Sequence, residues 1–120
     1  MKNERILLAD DMEITMESLS EMIEIFGEKD GHAVIGKAQS IDEVKTLLEG
    51  GLRPTVALVD HRFPHEGDGQ KAAEIIRKLS PKTLIISYSS TLGLKWGDRN
   101  WNKVFMDTQQ LINALTNLQH

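Results

Sequence analysis

Three aspartates that follow two short apolar runs are the residues of this chain best suited to do chemistry. Asp10 and Asp11 come directly after residues 6–9, and Asp60 comes directly after residues 56–59. Carboxylates that converge repel one another, so at least one resists ionisation unless a cation lies among them. Carboxylate oxygens without thiolates suit Mg²⁺. A single strand-end aspartate is more often a helix or turn cap, but the three together predict an acidic cation-binding pocket.

Short apolar runs alternate with helical stripes along the chain, and these elements must position the aspartates. Residues 6–9 predict a first strand, and a stripe at steps of three and four predicts a helix that ends at Gly27. That stripe consists of Met12, Met16, Leu19, Met22, Ile23 and Phe26, whose methionines are most simply core residues. Residues 32–36 predict a second strand. A capping box at Ser40 and Glu43 begins the second helix.

The middle of the chain continues this alternation. The unbroken apolar run 56–59 predicts a strand that is covered on both faces. A stripe of Ala72, Ile75, Ile76 and Leu79 predicts a third helix. Residues 84–86 predict a fourth strand, which leads into the hydroxyl side chains of residues 87–90.

The last part of the chain is less regular. Residues 91–103 contain no convincing helical stripe, and residues 104–106 predict a short fifth strand. A stripe of Leu111, Ile112, Leu115 and Leu118 predicts a final helix that Asp107 or Thr108 can cap. Strands that alternate with helices predict an α/β fold, a doubly wound five-stranded parallel sheet with helices on both faces.

The predicted sheet brings the polar residues together. In open α/β sheets, ligands bind outside the carboxyl ends of the strands. Asp10, Asp11, Asp60 and Ser89 all follow or end predicted strands, so we expect them at one edge of the sheet.

Composition limits the kind of protein this is. The 120 residues fit a single domain, 1–120, and the hydrophobic fraction of 40% is ordinary for a globular protein. The absence of cysteine excludes disulfides and thiolate metal sites. A net charge of -4 argues against general nucleic-acid binding. No apolar run approaches the ~20 residues of a membrane span, so we expect a cytoplasmic protein without membrane partners.

The arrangement resembles the receiver domain of two-component response regulators over essentially the whole chain. The matching segments are residues 6–11, residues 56–60 with Pro64 four residues after the aspartate, and residues 84–86 leading to Ser89. The acidic pair combined with the strand-Asp-x-x-x-Pro segment is the specific part of this resemblance. It implies a flavodoxin-like receiver fold.

The resemblance also implies a function in phosphorelay signal transduction. Asp60 would accept a phosphoryl group from a histidine kinase or a histidine phosphotransfer protein. The implied cofactor is Mg²⁺, held directly by Asp11 and Asp60, by Asp10 mainly through water, and by the backbone carbonyl of Arg62. Ser89 would hydrogen-bond a phosphoryl oxygen. We expect at most self-phosphorylation and self-dephosphorylation, not turnover, in a monomer or weak dimer that acts on a downstream protein target.

The chain departs from the receiver pattern near its fifth strand. Receivers normally place a lysine there, usually followed by proline, to pair with the phosphoryl group, and no Lys-Pro occurs here. If residues 104–106 are the strand, the matching position falls near Asp107, which would repel phosphate. If Lys103 is that lysine, the strand becomes residues 99–102, which are polar for a buried strand. We prefer the first alignment and keep Lys103 as the less favoured phosphate-pairing lysine.

Two other functions stay open on the sequence alone. The altered region after the fourth strand favours a degenerate receiver that acts as a phosphorylation-independent protein-interaction module. A phosphohydrolase of the haloacid-dehalogenase type would need an aspartate two residues after its nucleophile, where Arg62 stands. His61 is predicted to be a loop side chain facing solvent rather than a zinc ligand, and His65 likewise. Trp96 and Trp101 either anchor a partner or pack over the irregular region.

Overall fold

The structure is a computed structural model and describes residues 3–120. Within this range, five parallel strands form one sheet in the order β2-β1-β3-β4-β5. The strands are β1 (Arg5–Ala9), β2 (Ala33–Ala38), β3 (Val56–Val59), β4 (Leu84–Ser89) and β5 (Arg99–Asn102). The predicted α/β fold with a five-stranded parallel sheet is therefore confirmed.

Helices pack on both sides of the sheet. They are α1 (Glu13–Phe26), α2 (Ile41–Glu49), α3 (Asp68–Leu79) and α4 (Thr108–Thr116), with a short 3-10 helix at Glu28–Asp30. In residues 3–120, no helix combines the length and the apolar character that crossing a bilayer requires. The connection between β4 and β5, residues 90–98, contains no helix.

The sheet separates two hydrophobic clusters. Successive residues of a strand point to opposite faces, so β1 places Leu7 and Ala9 in a cluster with α2 and α3, and Ile6 and Leu8 in a cluster with α1 and α4. All four residues of β3 are buried. Burial on both faces explains why β1 and β3 are unbroken apolar runs.

The helix ends follow local hydrogen bonds that the sequence predicts. Ser40 Oγ accepts the N–H of Glu43 at 3.2 Å and begins α2, while the Glu43 carboxylate returns to the N–H of Gln39. Asp107 caps α4 because its carboxylate accepts the N–H of Gln110 at 2.8 Å. The Gln110 side chain accepts the N–H of Asp107 in return. The carboxylate of Asp107 thus belongs to the helix start.

The predicted fifth strand at residues 104–106 is wrong. β5 is Arg99–Asn102, which pairs with the last four residues of β4. This strand is the edge of the sheet, and its residues are exposed or half-buried. A continuous apolar run is expected only of strands with both faces covered, so polar residues are acceptable here. Val104 and Phe105 follow the strand and are 67% and 69% exposed.

The apolar stripe of α1 is covered only in part. Met16 and Ile23 are buried, but Met12, Met22 and Phe26 are exposed over 55%, 41% and 50% of their surfaces. The covering helix α4 has nine residues, whereas α1 has fourteen, so α4 is shorter by about 7 Å at 1.5 Å per residue. The expectation that the methionines of α1 are all core residues is therefore wrong for Met12 and Met22.

A buried histidine, His32, lies directly before β2 and links it to residues distant in the sequence. His32 Nδ1 accepts the N–H of Glu4 at 3.3 Å, and Nε2 lies 3.0 Å from Thr116 Oγ1. The Thr116 hydroxyl donates to Asp30, so it accepts from Nε2–H and the imidazole is neutral. Burial lowers the pKa of His32 below its ordinary value of 6.5, against the opposing influence of the Asp30 and Glu4 charges.

We expect acid to weaken the fold through His32. Because the pKa is lower in the folded than in the unfolded protein, the unfolded state binds the proton more readily, and stability is lost as the pH falls below about 6.5. Thermal unfolding between about pH 8 and about pH 5.5 should show a shallower loss in His32→Gln than in the wild type. Equal slopes in the two proteins would contradict the assignment.

Candidate functional site

Parallel pairing brings the three aspartates to one edge of the sheet. The sheet adds strands in opposite directions on either side of β1 and β3, and ligands of open α/β sheets bind at such a reversal. The N–H of Asp60 donates to Ala9 at 2.9 Å, so Asp60 continues the β1–β3 pairing by one residue. Asp10, Asp11 and Asp60 each offer one carboxylate oxygen within 4.8 Å of the others. The structure thus places the three predicted carboxylates in one cluster.

Asp10 belongs both to the cluster and to the turn between β1 and α1. Its Oδ1 accepts the N–H of Met12, two residues further along the chain, at 3.0 Å. Burial raises the pKa of Asp10 above its ordinary value, and the Asp60 charge adds to the rise. The Met12 hydrogen bond and the ammonium of Lys103 offset only part of this. A further cation near Asp10 would relieve the remaining penalty on its charged form.

Lys103 completes the cluster from the end of β5. Its Nζ lies 3.1 Å from Asp60 Oδ2 and 3.4 Å from Asp10 Oδ2. Its backbone N–H donates to the carbonyl of Ser89 at 3.1 Å, which continues the β4–β5 pairing and directs the side chain to the site. The alignment that places Asp107 here is wrong, because β5 ends four residues earlier than the predicted strand.

Lys103 is a charged partner of both aspartates at neutral pH. Burial lowers its pKa, but the charges of Asp60 and Asp10 and their hydrogen bonds raise it by more, so the pKa lies above the ordinary 10.5. Stabilisation from this ion pair is therefore present below that ordinary value and is lost as the pH rises through the folded-state pKa. The amine acts as an internal counter-ion of the pocket.

We expect Lys103→Met to destabilise the protein without added metal, by about 2 kcal/mol at neutral pH. The reason is that Asp60 and Asp10 lose their shared cation. A divalent cation should then raise the melting temperature of Lys103→Met by more than that of the wild type, since it replaces the missing charge. Thermal unfolding with and without Mg²⁺ measures both effects. The exposed Lys78→Met is the control, and an equal response to Mg²⁺ in all three proteins would refute the counter-ion role.

Ser89 and Arg62 lie at the same edge of the sheet as the cluster, but Ser89 is buried and Arg62 is exposed. Ser89 is buried at the end of β4, and its hydroxyl accepts the N–H of Thr91 at 3.2 Å. Arg62 is exposed and pairs with Glu66 across a small bridge in the loop after β3. Their predicted roles toward a phosphoryl oxygen and a metal stay predictions.

Gly69 allows the loop after Asp60 to fold back against the strand end. Its N–H donates to the carbonyl of His61 at 3.0 Å. A Cβ at this position would overlap the backbone oxygen of Asp60 and lie 2.8 Å from the Cα of His61. The buried Asp68 secures the same loop by accepting the N–H of His65 at 3.1 Å. α3 thus begins at Asp68, and Gly67 is the residue directly before the helix.

A histidine next to Asp60 joins the site to the β4–β5 connection. The indole N–H of Trp96 donates to His61 Nδ1 at 3.1 Å, and the two rings stack with centroids 6.2 Å apart. The backbone oxygen of Trp96 accepts from Arg77 of α3 at 2.6 Å. His61 is therefore half-buried and not a free loop side chain, whereas His65 is exposed as predicted. Spacing along the sequence offers no signal for this contact.

Both tryptophans pack within the protein. Trp96 lies against the cluster that contains α2 and α3, and Trp101 lies with Tyr88 against the cluster that contains α1 and α4. The packing interpretation of the two tryptophans therefore agrees with the structure.

The chemistry of the donors fits a hard divalent cation. Asp10, Asp11 and Asp60 supply oxygen ligands, and the chain has no cysteine. With all three carboxylates ionised and Lys103 protonated, the pocket carries two negative charges in excess, which one divalent cation neutralises. Carboxylate oxygens together with water are the ligands that Mg²⁺ and Ca²⁺ prefer.

The chain resembles known proteins in structure rather than in sequence. No family model and no curated protein matches the sequence. A two-component response regulator of the LuxR family from Aurantimonas sp. SI85-9A1 is similar, with a TM-score of 0.78 and 24% identity over 95% of this chain and 83% of that one. A CheY-like response regulator receiver domain protein from Methanospirillum hungatei JF-1 is also similar, with a TM-score of 0.75 and 22% identity over 93% of this chain and 90% of that one.

A third similar structure carries ligands. It is a response regulator protein from Burkholderia pseudomallei with a phosphorylated aspartic acid, a calcium ion and citrate. Its TM-score is 0.73, and it is 20% identical over 93% of this chain and 66% of that one. At such identities the similarity concerns the fold, and the five-stranded parallel sheet described above agrees with it. The chain therefore adopts the receiver fold of two-component response regulators.

Proposed function

We propose that this protein is a phosphorelay receiver that accepts a phosphoryl group on Asp60 from a histidine kinase or a histidine phosphotransfer protein. The observation that carries the proposal is the geometry of one pocket. Asp60 lies among Asp10, Asp11 and Lys103 at the reversal point of a receiver-type sheet. This pocket holds a nucleophile, a set of metal ligands and a fixed cation.

The proposed reaction transfers the phosphoryl group from nitrogen to oxygen. A carboxylate oxygen of Asp60 attacks phosphorus, the O–P bond forms as the P–N bond of a phosphohistidine breaks, and the leaving imidazole keeps the electron pair and takes up a proton. Lys103 holds Oδ2 of Asp60 at 3.1 Å and so orients the carboxylate before the reaction. Afterwards its ammonium pairs with the phosphoryl oxygens, and the Ser89 hydroxyl donates to one of them.

Mg²⁺ is the proposed cofactor. Asp11 and Asp60 would hold it directly, Asp10 mainly through water, and the backbone carbonyl of Arg62 would add a fourth protein contact. When bound, the ion would neutralise charge on the transferring oxygens, which is the main requirement of phosphoryl transfer. The excess of two negative charges in the pocket supports a divalent rather than a monovalent ion.

Intact-mass measurement tests the proposal. The wild-type protein incubated with Mg²⁺ and a small phosphodonor such as acetyl phosphate should gain the mass of one phosphoryl group. Chelation of the metal should prevent the gain, because Asp60 and its neighbours then repel an anionic donor. The absence of any gain over a range of donors and divalent ions would refute phosphoacceptor function.

The β4–β5 connection favours a second candidate function. Residues 90–98 contain no helix, whereas a fourth helix in this region is part of the usual signalling surface of receivers. A degenerate receiver that binds its protein partner regardless of phosphate would tolerate this change. Such a protein would show no mass gain, and its partner binding would be the same in Asp60→Asn as in the wild type.

A further inference from the structure

An open groove of about 780 Å³ lies between the C-terminal half of α1 and α4. Its apolar lining is formed by Ile25, Phe26 and Ile112, and Gln109 and Asn113 of α4 form much of the opposite wall. Ile25 is twelve residues beyond the first residue of α1, so the groove lies about 18 Å along the helix from the acidic pocket. The proposed phosphoacceptor chemistry makes no use of it.

The two apolar residues of α1 that line the groove are left uncovered beside α4. Ile25 is 67% exposed and Phe26 is 50% exposed, although both are large apolar residues. Single exposed apolar residues are ordinary, but adjacent ones that line a groove mark interaction sites. We expect an apolar ridge of a partner to occupy this space.

The charge around the groove is strongly one-sided. The segment 12–28 contains five glutamates and no lysine, arginine or histidine. Glu21, Glu24 and Glu28 are exposed and surround the apolar pair Ile25 and Phe26. Residues 108–116, which form α4, contain no charged side chain. The only lysine that lines the groove is Lys29.

This charge distribution indicates which kind of partner can bind in the groove. Two copies of the chain meeting through α1 would bring two rows of glutamates together, and like charges across an interface cost several kcal/mol. An anionic lipid surface would be repelled for the same reason. An apolar face flanked by lysine or arginine complements both the lining and the charge.

We propose that the α1–α4 groove binds a cationic amphipathic helix of a partner protein. An amphipathic helix lays its apolar face into such grooves through residues spaced three and four apart. The apolar side chains of the partner helix contact Ile25, Phe26 and Ile112, and its basic side chains pair with Glu21, Glu24 and Glu28. This binding is independent of the proposed phosphoacceptor function, because the two surfaces share no residue.

Two synthetic amphipathic helical peptides test the proposal. They share the same apolar face of leucines, which is flanked by lysines in one peptide and by glutamates in the other. Fluorescence anisotropy should show binding of the lysine-flanked peptide and at least tenfold weaker binding of the glutamate-flanked one. Binding of the lysine-flanked peptide should weaken as salt concentration rises. Equal affinity of the two peptides, or no binding of either, would overturn the proposal.

Matched variants locate the binding surface. Ile25→Ser should weaken binding of the lysine-flanked peptide about tenfold or more, which corresponds to about 1.4 kcal/mol. Leu92→Ser, at another exposed apolar position on the β4–β5 connection, should leave this binding unchanged. Glu21→Gln with Glu24→Gln should weaken binding, and Glu74→Gln on α3 should not. Circular dichroism checks that each variant is folded. Equal effects of groove and control variants would show nonspecific attraction and overturn the assignment.

Asp60→Asn separates this inference from the proposed function. The variant should bind the lysine-flanked peptide like the wild type, whether or not the wild type accepts phosphate. Loss of peptide binding in Asp60→Asn would contradict an independent groove.

Discussion

Asp60→Asn should abolish the gain of a phosphoryl group entirely. The change replaces a carboxylate oxygen by a neutral amide of almost the same size, which removes the nucleophile and one ligand of the metal. Lys103 keeps its second partner, Asp10, at 3.4 Å, so the fold should survive. Intact mass after incubation with Mg²⁺ and acetyl phosphate measures the loss, and circular dichroism confirms that the variant is folded.

Two further aspartate variants make this result specific. Asp42→Asn lies in the exposed first turn of α2 and should gain the phosphoryl group like the wild type. Asp11→Asn should remain capable of the gain but require more Mg²⁺, because it loses a metal ligand and keeps the nucleophile. If Asp60→Asn still gains one phosphoryl group at the wild-type rate, the acceptor is a different residue and the proposed role of Asp60 is wrong.

Gly69→Ala should be the most destabilising single methyl addition near the site. The new Cβ would overlap the backbone oxygen of Asp60 and lie 2.8 Å from the Cα of His61. Both neighbours are backbone atoms at the end of β3 and cannot rotate away, so the strand end or the first turn of α3 must move. We expect a loss of about 3 kcal/mol in the free energy of unfolding, at the upper end for overpacking.

The same displacement should impair the proposed chemistry. A shift of the Asp60 backbone moves its carboxylate relative to Asp10 and Lys103, so a folded Gly69→Ala should accept the phosphoryl group more slowly. Urea unfolding and the mass assay measure the two effects. Gly50→Ala is the control, because Gly50 has a helical backbone and the added Cβ approaches no atom closer than 3.3 Å. It should change the stability by about 1 kcal/mol or less. Equal stability of the two variants would show that the close approach at Gly69 is unimportant.

The central part of the fold follows from local patterns. The apolar runs of β1 and β3 are buried on both faces, and each run predicts this burial through four consecutive apolar residues. Ser40, Gly27 and Asp107 mark helix ends through hydrogen bonds to residues close in the chain. The proximity of Asp10, Asp11 and Asp60 could be predicted, because the carboxyl ends of parallel strands lie at the same edge of a sheet.

Errors arise where burial depends on a distant neighbour. Residues 99–102 are polar and were less favourable as a strand than residues 104–106, yet the edge position of β5 leaves one side open and accepts polar residues. The exposure of Met12 and Met22 depends on where α4 packs along α1, and no pattern within residues 12–26 carries that information. The contact between His61 and Trp96 spans 35 residues and depends on how residues 90–98 fold back.

The acidic cluster and its lysine show the same division. Asp10, Asp11 and Asp60 could be predicted to lie together because each follows an apolar run that predicts a strand. Parallel strands end at the same edge of the sheet, so the residues that follow them lie at that edge. The presence of Lys103 in the pocket could be established only from the three-dimensional structure. Its amine is 43 residues from Asp60 in the chain, and the 3.1 Å distance between them depends on the exact residue at which the edge strand ends. If the strand ended at residue 106, Asp107 would take the place of Lys103 in the pocket. A phosphoryl group would then meet a negative charge instead of a positive one.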